Sequence, residues 1–301
     1  MYYFYFIPRE LSEVIVSFLD YDDFLSFSKS FDIHNLNYSF IYHYKFNIAK
    51  YLDYKEYKRY LGLNDLKDKL PPIEGYTSLE AFGNIKELIF YNMELSSLPN
   101  SIRELNQLET LIFNFNMLTS LPDSIGELGN LTRLSVSYGE LTSLPDTIGN
   151  LFQLRFLELN NNKLDSLPES IGNLTQLEIL NLSNNKLTSL PHSTGNLTRL
   201  ISLNLNFNEL TSLPNTIGKL TQLQYLQVEK NKLTSLPNTI GGLTQLQNLI
   251  VNNNRLSSLP ITIGTLTQLR ELNLMHNHFT SFPSSLNKLV HTKITKYWLN
   301  N

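Results

Sequence analysis

Apolar residues in this chain return at a fixed interval. From Ile85 the same order of apolar and polar positions recurs at Leu108, Leu131, Leu154, Leu177, Leu200, Leu223, Leu246 and Leu269, each 23 residues after the last and with no insertion. A constant period of that length makes the fold an array of stacked units, none of which can bury its apolar face alone. In the copy that opens at Leu177 the apolar positions are Leu177, Leu180, Leu182, Leu187, Leu190 and Leu197, and most copies add an isoleucine where this one has Thr194. Leu180 and Leu182 alternate with Asn181 and Ser183, and a period of two predicts a short strand with one face in the core and the other in solvent.

Just past that strand stands Asn185. An inward amide there both donates and accepts, so it can satisfy backbone groups that would otherwise be buried without partners. Its equivalents predict a ladder of Asn116, Asn162, Asn185, Asn208, Asn231, Asn254 and Asn277, broken by Met93 and Gly139, where the array is expected to be weaker. Nine of the twelve prolines recur from Pro99 to Pro283. A locked φ and a missing donor suit an irregular return path and exclude a central strand. Gly195 has counterparts at Gly126, Gly149, Gly172, Gly218, Gly241 and Gly264, while Arg103 and Asn287 take that place in the end repeats, as terminal units of an array often depart from the consensus.

The unit LxxLxLxxNxLTSLPxxIGxLTxL resembles the leucine-rich repeat, in the 23-residue class of intracellular Ras-binding and scaffold proteins, from Ile85 to about Val290. The resemblance implies a right-handed α/β solenoid, a horseshoe with a parallel sheet on its concave side and an irregular convex side. Residues 75–84 read as a degenerate repeat capping the first strand, because Leu79 and Phe82 lie 23 residues before Ile102 and Leu105. The solenoid is thus expected over 75–291. Residues 292–301 read as a C-terminal cap, with Leu289, Val290, Ile294, Tyr297 and Trp298 in a short helix over the last strand.

Ahead of the array the pattern changes to a helical one. Leu11, Ile15, Phe18 and Leu19 share one helical face, Pro8 is placed to open that helix, and Asp22 to cap a second carrying Phe24 and Leu25. Ile7-Pro8, Glu10-Leu11, Ile15, Phe18-Leu19, Asp20, Asp23 and Phe24-Leu25 resemble an F-box, which would make residues 1–50 a small helical module ahead of the solenoid and 51–74 a helical linker. That resemblance implies docking onto Skp1, the adaptor subunit of a cullin–RING ubiquitin ligase, through Pro8, Leu11, Ile15, Phe18, Leu19 and Phe24. A plain helical cap over the open end of the solenoid is the other reading of the same stretch.

Charge removes one class of partner. The residues to Asn84 hold nine cations against twelve carboxylates, and the array after it holds fifteen of each. A formally neutral solenoid lacks the cationic footprint of a nucleic-acid binder. The chain has no cysteine, which excludes disulfides, thiolate metal sites and thioester chemistry in these residues. Extracellular leucine-rich-repeat proteins usually cap their ends with cystine clusters, so an intracellular, cytoplasmic address is expected. No apolar run reaches the length of a membrane span. The acceptor triplets at Asn130, Asn173 and Asn196 follow from the repeat itself and are expected to be unmodified.

No constellation for catalysis, cofactor or metal stands out. His276 and His278 bracket Asn277 without a third ligand, and Asp20, Asp22 and Asp23 read as a helix cap. What remains is a binding surface. Ile89, Tyr91, Ile112, Phe115, Tyr138, Phe156 and Ile179 gather in the first five repeats, and Tyr225 follows among asparagines. Aromatics ringed by polar groups are what interface hot spots use. Tyr91, Ile112, Tyr138, Phe156, Ile179 and Tyr225 are therefore the expected contacts for a protein partner, whereas Phe115 and Phe207 have a second reading as a spine folded inward beneath the strand ends. The function expected is non-catalytic, either a substrate-recruiting adaptor of a Skp1–cullin–F-box ligase or a scaffold binding a small GTPase or other signalling protein.

Overall fold

The computed structural model describes residues 54–70 and 82–296. Among them ten three-residue strands, β1 (Glu87–Ile89) to β10 (Lys293–Thr295), form one parallel sheet in sequence order. From the first strand to the ninth each pairs with the next in the register the period dictates, Leu88 opposite Leu111 and Leu180 opposite Leu203. The central leucine of each of the first nine strands points into the core, as Leu180 and Leu203 do, with its two neighbours facing the concave side.

The return path is more regular than its prolines alone imply. Each repeat carries a five-residue 3₁₀ helix, such as Glu169–Asn173, entered from a proline, here Pro168 at φ −69° and ψ 150°. Ile171 donates to the Pro168 carbonyl, Leu174 to Ile171 and Leu177 to Leu174, so bonds of span three run without a break toward the next strand. A 3₁₀ turn takes three residues, which places Ile171, Leu174 and Leu177 on one face, and all three are fully buried. The I-x-x-L-x-x-L part of the repeat is therefore the buried stripe of this path.

The glycine of the seven inner repeats answers to its neighbour. A Cβ on Gly172 would lie 2.5 Å from both Cβ and the carbonyl oxygen of Ser193 in the next repeat, closer than atoms pack. At Asn287 no neighbour of that kind follows among the described residues.

Each end carries an element outside the repeat. Helix α1 (Tyr54–Lys69), in the stretch read as a linker, lies against the first 3₁₀ helix and buries Leu63 and Leu66, with Leu70 just beyond its end. Ser101 Oγ donates to Asp65 at 2.7 Å and Arg59 to the Gly83 carbonyl at 2.9 Å, which fixes its angle. At the other end the expected helix is not what forms. Lys293–Thr295 is a strand, added to β9 (Glu271–Asn273) with a spacing of 22 residues. The physical reason is the open edge of β9, whose backbone groups need partners that a crossing helix cannot give; Leu274 donates to Thr295 and Lys293 to Arg270, each at 2.8 Å. Tyr297 and Trp298 lie outside the described residues, as do residues 71–81.

Candidate functional site

The asparagine column is the frame on which the exposed edge is mounted. Asn185 donates from Nδ2 to the carbonyls of Leu182 in its own repeat, at 3.0 Å, and Leu159 in the preceding one, at 2.9 Å, and its Oδ1 accepts from the Leu164 N–H at 3.0 Å. Asn162, Asn208, Asn231, Asn254 and Asn277 repeat this geometry, and Asn116 Oδ1 accepts from both Met93 and Leu95. By that register an asparagine at 139 would serve Leu118 N–H and the Phe113 carbonyl; Gly139 offers neither group.

The residue before each ladder position is left-handed in all nine repeats. Asn92, Asn161, Asn184 and Asn253 lie at φ 55–57°, and Phe115 at 60°, Tyr138 at 58° and Phe207 at 57° share the region with them. Asparagine tolerates this region and bulky residues do not. The geometry keeps the parallel pairing going past the strand end, the N–H in each of the first eight repeats bonding to the next repeat, as Phe115 does to Ser137 and Tyr138 to Asn160. It also turns the side chain outward. Phe115 and Phe207 therefore do not form an inward spine; Phe90 and Phe113 are the buried, stacked pair, with centroids 5.6 Å apart.

Three aromatic rings stack on this edge. Tyr91 and Phe115 have centroids 4.8 Å apart, and Phe115 and Tyr138 lie 4.2 Å apart and nearly parallel at 6°. They are 56%, 40% and 49% exposed, with Ile89, Met93 and Met117 also exposed in the same repeats. Tyr91 and Tyr138 thus belong to the edge and not to the strands. Ile112, Phe156, Ile179 and Tyr225 do lie on strands, facing the concave side. Ile112 pairs with Ile89 and Ile179 with Phe156, whereas Tyr225 stands between Ser202 and Asn248, away from the other apolar positions. Arg133 and Arg155 each hold a guanidinium 5.6 Å from the Phe156 ring and are themselves held by Glu158 and Glu178. Phe115, whose place the sequence leaves open, is the central ring of the stack. The signal that marks it is a bulky aromatic at a position four other repeats fill with asparagine.

Pro8, Leu11, Ile15, Phe18, Leu19 and Phe24 lie outside the described residues. Among those described, no three His, Asp or Glu come together as metal ligands, and no helix is long and apolar enough to cross a membrane.

Comparison with known proteins gives a consistent answer. A family profile described as a leucine-rich repeat region matches residues 140–224 and 202–296. A leucine-rich-repeat protein of Leptospira interrogans is 34% identical with a TM-score of 0.63, over 75% of this chain and 65% of that one. The plant peptide hormone receptor RGFR1, in complex with RGF2, is 30% identical with a TM-score of 0.65, over 73% of this chain and 37% of the receptor. The leucine-rich repeat domain of the type III effector XopL is 26% identical with a TM-score of 0.64, over 79% and 88%. The chain thus spans less than two thirds of the length of the first two. No curated protein matches it by sequence.

Proposed function

The chain belongs to the leucine-rich-repeat family, and on that premise we propose that it is a protein-capturing module whose contact surface is the edge formed by Tyr91, Phe115 and Tyr138 together with the concave residues Ile112, Phe156 and Ile179. One observation carries this reading. At the left-handed position asparagine is the residue the backbone favours, yet Phe115 and Tyr138 occupy it with their rings in solvent. Backbone strain and the exposure of apolar surface both oppose that choice, and the stacking of the rings on one another still leaves them 40% and 49% exposed, so the stack alone does not account for it and binding does. The RGFR1 receptor in complex with RGF2 is a neighbour that supports a peptide or protein as the captured species.

The order of modules extends the proposal. The F-box-like residues Pro8, Leu11, Ile15, Phe18, Leu19 and Phe24 would dock on Skp1 while the solenoid holds a target, raising its effective concentration beside a ubiquitin-carrying enzyme. Catalysis would belong to that enzyme.

A photoreactive phenylalanine analogue tests the capture surface. Placed at Tyr138 of the full chain in cells it should crosslink to a defined protein; placed at Phe152, exposed and apolar but in the link between the 3₁₀ helix Asp146–Asn150 and the strand Phe156–Glu158, it should not. Equal adducts at both positions, or none at Tyr138, reject the surface. The adaptor reading is tested separately. The full chain should bind purified Skp1 and lose that binding with Pro8→Ala and Leu11→Ala together, and absence of binding by the parent chain rejects the adaptor role alone.

A further inference from the structure

The solenoid is neutral in total but not along its length. Two exposed columns flank the buried asparagines, one at the left-handed position and one just after the ladder. The second is held in register by the backbone: Lys163, Lys186, Lys232 and Arg255 donate to Leu141, Leu164, Leu210 and Leu233 of the preceding repeats at 2.8–2.9 Å. In the first three repeats these columns carry the rings of Phe115 and Tyr138 with the carboxylates Glu94 and Glu140. From the fourth repeat to the eighth they carry five cations, the four just named and Lys230, against one carboxylate, Glu209; Glu229 lies beside them, half-buried. Glu140 pairs with Lys163 and Glu209 with Lys232, while Lys230 covers the Phe207 ring at 4.6 Å. Lys186 and Arg255 are exposed and make no salt bridge among the described residues, although the Lys186 charge, after the closer Lys232, helps to hold the Glu209 carboxyl below its ordinary range.

We propose that this edge binds an extended peptide segment, with an aromatic or large aliphatic side chain seated on Tyr91, Phe115 and Tyr138 and carboxylates lying across Lys186 and Arg255. The inference rests on the contact surface proposed above and adds the chemistry of its occupant. Lys186 is two repeats beyond Tyr138 and Arg255 five. At about 4.8 Å per repeat these are distances of roughly 10 and 24 Å, which an extended chain covers in about three to seven residues. The apolar anchor and the carboxylates should be separated accordingly. A single-stranded nucleic acid fits less well. Its bases need open ring faces, but Phe115 and Tyr138 already stack on each other, and Glu94 and Glu140 repel phosphate at that end.

A library of random twelve-residue peptides displayed on phage, selected on the full chain, is the test. The enriched peptides should carry an aromatic or large aliphatic residue about three to seven positions from Asp or Glu. Measured singly by fluorescence anisotropy, they should bind the Lys186→Glu, Arg255→Glu double variant at least about tenfold more weakly, and the parent more weakly as salt rises from about 0.05 to about 0.5 M. They should bind the Phe115→Asn, Tyr138→Asn variant at least about tenfold more weakly too; asparagine is what Asn161 and Asn184 already place in that geometry, so its fold is kept, with circular dichroism as the check. Peptides lost by the ring variant but indifferent to charge reversal overturn this inference and leave the contact surface standing. Peptides that bind the ring variant as well as the parent overturn both. No enrichment, or displacement of the peptides by oligothymidylate at equal concentration, overturns the peptide assignment.

Discussion

Asn185 holds two repeats together with one amide, and all of its bonds are made where water is excluded. Asn185→Leu keeps the volume but leaves the Leu164 N–H and the Leu159 carbonyl without that partner. A loss of about 1–3 kcal/mol in denaturant unfolding is expected. Thr194 is the opposite case. It stands where Ile171 and Ile217 stand in the flanking repeats, is fully buried, and its hydroxyl has no partner. Thr194→Val removes that hydroxyl at nearly constant volume and should raise stability by about 1–3 kcal/mol by the same reasoning. Glu169 gives a pH signature. The Ser193 side chain and backbone N–H, together with the His192 N–H, favour its carboxylate and hold its pKa below the ordinary 4.5. A depressed folded pKa means that its contribution is present above 4.5 and is lost as pH falls through the lower folded value. Thermal melts of Glu169→Gln should therefore converge on the parent in acid and fall below it at neutral pH.

At the scale of elements the convex side sets how closely repeats can approach. The 3₁₀ helices stack with Gly172 against Ser193, and Gly172→Ala forces the two apart at a contact of 2.5 Å. A cost of about 1–3 kcal/mol is expected, as for other overpacked sites. Changing Asn287 to Ala should cost far less, because it already carries a Cβ and among the described residues no 3₁₀ helix follows it. Helix α1 closes the first repeat through Leu66, which is fully buried. Leu66→Ala should cost about 2–5 kcal/mol if α1 unfolds with the array. Hydrogen exchange distinguishes the cases: faster exchange confined to α1 would show a lid that opens by itself, whereas faster exchange through Leu111 shows one cooperative unit.

The whole molecule is a one-dimensional stack. Ten strands leave nine gaps, so the sheet runs roughly 43 Å at about 4.8 Å per gap. Each repeat touches only its neighbours, and protection from exchange should be highest near Leu180 and Leu203 and fall toward both ends. Uniform protection from β1 to β10 would contradict nearest-neighbour stacking. Gly139, which breaks the asparagine column between the second and fourth repeats, should appear as a local dip.

The 23-residue period determined the core. Position in the repeat alone says that Leu180 is buried and Asn181 is not, since a strand's alternation is a local property of the backbone. The asparagine column was legible for the same reason, each amide serving a backbone whose path is fixed within the repeat. The period was silent where the array stops: Lys293–Thr295 became a strand because β9 had an unpaired edge, a demand made by the fold and not by the segment's own pattern. The exposed edge was also decided only in three dimensions. Parallel stacking brings residues 23 apart along the chain to neighbouring strands, so Tyr91, Phe115 and Tyr138 become one stack although Tyr91 occupies a different place in its repeat. The left-handed backbone aims Phe115 into solvent where apolarity alone points it inward. Stacking likewise gathers five cations on one edge of a neutral solenoid, because total charge is a property of composition and its placement a property of register.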